Sequence, residues 1–171
     1  MTQDITVTGQ VTAVILRADG SVRQKLEGNN LVTTLGLYHY AERFEESFNG
    51  GSPLTSTFTT FVVGTGSPTA TIDDDLSDIT EFTGITGEQV KASGYPKIND
   101  DDTDNSGRGE FVLTWHASYG TGTTLSAIRQ VGISVASPTG TNPLLMHHVF
   151  GAAFTKTTDE TLKIFVNHTL A

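Results

Sequence analysis

The chain has 171 residues, 36% of them hydrophobic, with 19 acidic side chains against 10 basic ones and no cysteine. A chain of this size fits one domain around one core. The net charge of −9, with its few lysines and arginines scattered, argues against a nucleic-acid surface. The lack of cysteine excludes a disulfide scaffold, a thiolate zinc site and a cysteine nucleophile. No stretch approaches the ~20 apolar residues of a membrane helix, and Met1-Thr2-Gln3-Asp4 leads into no basic-then-apolar run, so neither a spanning segment nor a secretory signal is expected. Asn167-His168-Thr169 has the form of a glycosylation sequon, which without a secretory signal reads as chance.

Threonine and glycine together supply 46 residues, 28 and 18 respectively, a composition suited to strands joined by tight turns. Ile5, Val7, Gly9, Val11, Ala13 and Ile15 fall on alternate positions, the period of a half-buried strand. Ala18-Asp19-Gly20 follows as a hairpin turn, and Val22, Gln24 and Leu26 return as a second strand. After Gly28-Asn29-Asn30 the period changes. Leu37, Ala41, Phe44 and Phe48 share one face of a helix expected over Thr34 to Phe48. Thr33 or Thr34 can cap it, Asn49-Gly50-Gly51 and Pro53 can end it, and Phe44 and Phe48 are expected to anchor it on the β body. The opposite face, with His39, Glu42, Arg43, Glu45 and Glu46, is expected to face solvent or a partner.

Strand signals resume at Phe58 to Val63, Gln89 to Lys91, Glu110 to Ser118, Ser126 to Ala136, Leu144 to Ala153 and Leu162 to Leu170. With no alternating helices between them, they predict a mainly β fold, a two-layer antiparallel β-sandwich of jelly-roll type with one short helix packed on it. The expected organisation is a single domain over 1–171, with a helix-containing insertion at 28–53. Long surface loops, the least ordered parts of the chain, are expected at 66–78 and 93–109, where small, acidic and turn-forming residues cluster without periodicity.

The sharpest chemical candidate is Asp100 to Gly107, because carboxylates at alternate positions before a glycine can converge on Ca²⁺. In the register that begins at Asp102, Leu113 falls where an EF-hand needs its bidentate glutamate. A looser loop of Asp102, Asp104, Ser106 and Glu110 stands against the plainer reading, a solvated acidic run with no metal. Asp73, Asp74, Asp75 and Asp78 form a second acidic cluster, whose neighbours in sequence do not converge on one substrate atom, so it too reads as a solvated loop. His147 and His148 point to opposite faces of a strand, so at most one could join His116 and His168 around an ion. Partly buried or interface histidines are the expected outcome. No Gly-x-Ser-x-Gly or phosphate-binding loop is present, and Trp115 reads as core. No catalytic residue, cofactor or metal site is expected.

Several motifs, taken together, resemble tailed-bacteriophage structural proteins. Asn30-Leu31-Val32-Thr33-Thr34-Leu35-Gly36-Leu37 resembles their lead-in to a short helix, and Val63-Gly64-Thr65-Gly66-Ser67-Pro68-Thr69-Ala70 is similar to their Gly-Thr-Gly loop. Ile128-Arg129-Gln130-Val131-Gly132-Ile133 resembles a strand in which an acid usually stands where this chain has Gln130. Lys156 to Ile164, with Glu160 as its acid, resembles their final strand. The resemblance spans most of the chain. It implies a non-enzymatic virion component, most simply a decoration or cement protein on the outer capsid surface, made in the host cytoplasm. Its implied partners are the major capsid protein and copies of itself, as dimer or trimer, with no nucleic acid and no membrane. The alternative is a tail, baseplate or fibre module involved in host attachment, though no trimerising heptad or strand repeat is present. A hydrolase or sugar-binding domain is a third possibility, disfavoured by the scarcity of aromatics for stacking, one Trp and four Tyr.

Overall fold

The computed structural model describes residues 6–49, 58–80, 88–99, 111–135 and 142–170. In chain order they form β1 (Val7–Leu16), β2 (Val22–Val32), α1 (Thr34–Asn49), β3 (Phe58–Gly64), β4 (Glu88–Val90), β5 (Lys97–Asn99), β6 (Phe111–Tyr119), β7 (Leu125–Val135), β8 (Leu144–Lys156) and β9 (Thr161–Leu170). A 3₁₀ turn covers Leu76–Asp78. The protein is mainly β with a single helix among the described residues, as the sequence predicts.

Every strand pairing is antiparallel, and the order across the sheet is β4-β3-β7-β8-β2-β1-β9-β6-β5. The β1–β2 hairpin turns where Asp-Gly predicts it, with Gly20 at φ 81° and the Ser21 N–H donating to Asp19 Oδ1 at 2.8 Å. β2 belongs to both halves of the sheet. Gly9 to Leu16 of β1 pair with its residues from Asn30 back to Val22, while Leu31 and Val32 switch to β8. The sheet folds over at this point, and its two halves face each other across one core. Val11, Ala13, Ile15, Trp115, Ile164 and Val166 come from one side, and Phe61, Val131, Ile133, Met146 and Phe150 from the other. The Tyr119 hydroxyl crosses the core to donate to the Phe61 carbonyl at 3.2 Å. At the far edges β4 pairs with β3 and β5 pairs with β6. The segment between β4 and β5 joins these edges, with Lys91 N–H on the Thr59 carbonyl and Ala92 N–H on the His116 carbonyl, each at 2.7 Å. The fold is nearly closed, which leaves little exposed edge.

Two expectations about surface segments change. Lys97–Asn99 is a strand within the stretch read as a loop over 93–109; three residues are too few to show a period, and only pairing with β6 defines them. The loop over 66–78 is irregular but fastened. Its 3₁₀ turn carries a capping box between Asp75 and Asp78, and Leu76 and Ile79 form a second apolar cluster with Val62 and Leu144.

The helix begins where it is expected, with Thr33 Oγ1 accepting the Gly36 N–H at 3.0 Å. Its docking face is rotated from the expected one. Leu37 and Ala41 are exposed, whereas Gly36, His39 and Tyr40 are buried, so His39 does not face solvent but meets Phe58 edge-on at 4.9 Å. The physical reason is close approach. A Cβ on Gly36 would lie 2.1 Å from the Leu145 carbonyl oxygen, so only glycine lets the helix sit this low on β8. The side chains of Phe44 and Phe48, the expected anchors, lie outside the described residues.

Candidate functional site

Two buried clusters of polar and ionisable side chains stand out among the described residues. In the first, Asp74 is only 7% exposed, which corrects for this residue the reading of Asp73, Asp74, Asp75 and Asp78 as a solvated acidic loop; Asp73 and Asp78 are exposed. Its Oδ2 lies 2.6 Å from His147 Nδ1, on β8, and accepts the Thr71 N–H at 2.8 Å, while the Thr71 hydroxyl donates to Oδ1 at 2.5 Å. Burial opposes the charge on Asp74, but the Thr71 and His147 hydrogen bonds outweigh it and hold the carboxyl below its usual range. The other ring nitrogen of His147, Nε2, sits 3.2 Å from Gln130 Nε2. Gln130 Nε2 also donates to the Asp78 carbonyl at 2.7 Å, and Gln130 Oε1 accepts the Thr80 N–H at 3.0 Å. This inventory fixes the tautomer. With Gln130 donating to Nε2, the His147 hydrogen sits on Nδ1 and points at Asp74.

An Asp–His pair of this geometry is two thirds of a nucleophile-activating constellation. Here the third place is taken by an amide, and His147 and Gln130 are fully buried, so the pair has no path along which to pass a proton to a substrate. What the cluster does is hold the 65–80 segment onto β7 and β8. Gln130 suits this task better than the acid of the resembling strand, because a carboxylate could not donate to the Asp78 carbonyl.

The second cluster lies inside the fold. Gly9 on β1 pairs with Asn30 on β2 and with His168 on β9, so all three share one row on the inner face. Gly9 has no side chain to separate its neighbours, and Asn30 Nδ2 reaches across it to within 2.8 Å of His168 Nε2. A Cβ on Gly9 would fall 1.6 Å from Asn30 Oδ1. From α1, the Tyr40 hydroxyl closes the row at 2.5 Å from His168 Nδ1. His168 is completely buried, and this burial lowers its pKa to about 3, while burial pushes the Tyr40 phenol up. Asn30 Oδ1 is buried without a hydrogen-bond partner in this interior.

The remaining candidates separate. His148 is buried, its Nδ1 donating to the Asn29 carbonyl at 2.9 Å, and burial lowers its pKa. His116 lies on the outer face, stacked on Phe165 with ring centres 4.4 Å apart, and burial lowers its pKa too. His116, His147, His148 and His168 thus do not converge, and among the described residues no three His, Asp or Glu side chains gather as metal ligands. Trp115 is in the core, as expected. Asp102, Asp104, Ser106 and Glu110 lie outside the described residues.

A third fastening point was not visible as such in the sequence. Lys156 is fully buried at the β8–β9 turn, with Nζ donating to the carbonyls of Thr123 (2.6 Å) and Thr157 (3.1 Å). Glu160 accepts the Thr157 N–H at 2.9 Å and pairs with Arg23. The only signal was the Lys-x-x-x-acid spacing of the final motif.

Comparison with protein-family models, with curated proteins and with solved structures finds no match to this chain.

Proposed function

We propose that this chain is a non-enzymatic structural component of a tailed-phage virion, a decoration protein that binds and stabilises the outer capsid lattice, its partners being the major capsid protein and further copies of itself. The observation that carries this reading is that each segment resembling those proteins is a fastening point of the fold. Asn30 reaches His168 and Thr33 caps the helix. Gly64 and Gly66 pack against Gln130, which ties down the Asp78–Thr80 backbone. Lys156 and Glu160 lock the final turn. The motif residues are spent on rigidity, and a rigid domain loses less conformational freedom when it docks repeatedly on a lattice.

The surface fits the same task. Leu35 and Tyr38 on α1 and Ile72 on the adjacent loop are 49%, 63% and 54% exposed, and the Thr34 N–H holds loop and helix together through the Ile72 carbonyl at 2.7 Å. Apolar side chains grouped at one rigid corner supply burial energy on contact. The charge of −9 keeps a free subunit soluble and away from the packaged genome. Binding then stabilises the lattice by mass action, about 2.7 kcal/mol at a hundredfold excess over Kd. Particles assembled without this chain are expected to keep their tails and host attachment but to burst at lower temperature. Particles that lose host attachment with an unchanged bursting temperature would overturn this reading in favour of a tail module.

A further inference from the structure

We propose that the outer face of β1, β9 and β6 is a binding groove for an uncharged oligosaccharide. The strand register sets out its chemistry in rows. Gln10 pairs with Asn29 on one side and Asn167 on the other, and Asn167 pairs in turn with Thr114. Three carboxamides and a threonine therefore stand side by side across four strands, about 4.8 Å apart. The next row holds Glu27, Thr12, Phe165 and His116, and the row on the other side holds Thr8, Thr169 and Val112.

Over these rows lies an open cleft of about 470 Å³ that includes Thr12, Thr114 and Asn167; a second of about 810 Å³ shares Asn167 and runs on to the aliphatic corner of Val32, Leu37 and Ile72. Tyr95 and Lys97 line the smaller one together with Phe165. His116 is sandwiched there, stacked on Phe165 and met edge-on by Tyr95 at 5.2 Å, and Lys97 Nζ lies 4.9 Å from the Tyr95 ring centre. Among the described residues, Lys97 is the only charged one lining either cleft.

This lining matches a sugar better than other ligands. A sugar ring offers an apolar C–H face and a rim of hydroxyls, each both donor and acceptor. Aromatic rings suit the face, and Asn, Gln and Thr, which also donate and accept, suit the rim. Nucleic acid or another polyanion would need several cations. An added peptide strand would need free backbone groups, and here β1 and β9 are paired on both sides. Asn167 Oδ1 and His116 Nε2 are shielded from water without a hydrogen-bond partner, so each keeps an unused hydrogen-bonding capacity on this face. The scarcity of aromatics weighed against sugar binding in the sequence; the fold brings Tyr95, His116 and Phe165 together on this face.

The test is a screen of the full-length protein against an array of uncharged hexose and N-acetylhexosamine oligosaccharides, with titration calorimetry of the best binder. Binding below ~1 mM is expected, weakened at least tenfold in Asn167→Ala and Tyr95→Ala proteins whose melting temperatures match the parent. No binder on the array, or equal affinity in both variants, would overturn the inference. So would sedimentation showing a dimer that the same substitutions dissociate, since the face would then be a self-contact. Lattice binding is read separately, from particle stability, and neither Asn167 nor Tyr95 belongs to the Leu35, Tyr38 and Ile72 corner assigned to it.

Discussion

The two buried polar clusters are built from similar side chains and do opposite things with them. Around His147, an ionised carboxylate, an imidazole and an amide are matched donor to acceptor, and the network reaches the backbone of the 65–80 segment at Thr71, Asp78 and Thr80. Around His168, the partners are an amide and a phenol with no counter-charge, and Asn30 Oδ1 is left without a partner. A buried imidazole beside a carboxylate is an anchor for a loop; one beside neutral groups resists protonation and makes the fold sensitive to acid. The difference comes from position. The first cluster lies beneath a loop that supplies backbone donors and acceptors, whereas the second sits among strands whose backbone groups are already paired.

The largest expected effect tests the anchored cluster. Asp74→Ala leaves the His147 N–H and the Thr71 donors without their acceptor, so chemical denaturation should show a loss of about 3 kcal/mol, with faster hydrogen exchange confined to 65–80. A loss below about 1 kcal/mol would mean the carboxylate is not the anchor.

The second prediction concerns acid. The folded pKa of His168, about 3, lies below the ordinary 6.5, so its contribution to stability is complete above pH 6.5 and is lost as pH falls toward 3. Over that window the unfolded chain binds a proton that the folded chain refuses. The slope from this one group reaches about 1.4 kcal/mol per pH unit. His116 and His148 shift in the same direction and add to it. His168→Gln should flatten the stability–pH curve by that one-proton slope. Asp74, held below its ordinary value, contributes stability above about pH 4 and loses it only below, so Asp74→Ala should leave the curve above pH 5 unchanged in shape.

A smaller effect sharpens the neutral cluster. Tyr40→Phe removes one hydrogen bond to His168 while keeping the ring, for an expected cost of about 1 kcal/mol, visible as a lower melting temperature. The smallest effect lies outside both clusters: Tyr38→Ala, at an exposed position, should change stability by less than about 0.5 kcal/mol while weakening lattice binding in a co-sedimentation assay.

Much of the fold was legible in the sequence because periodicity and turn chemistry are local. Alternation marked β1, Asp19-Gly20 marked its turn, and the change of period after Asn30 marked the helix within a residue of its observed ends. Composition alone made the protein mainly β. The sequence could not say which helix face is buried, since Gly36 and Tyr40 win over Leu37 and Ala41 through close approach to Leu145 and a partner in His168. Neither could it show that Asp74 is buried or that Lys97–Asn99 is a strand, because each depends on a partner far along the chain, His147 for the first and Leu113 among others for the second. The row of Asn29, Gln10, Asn167 and Thr114 is scattered over the whole sequence. Only strand register, set by the buried face of each strand, brings those side chains together.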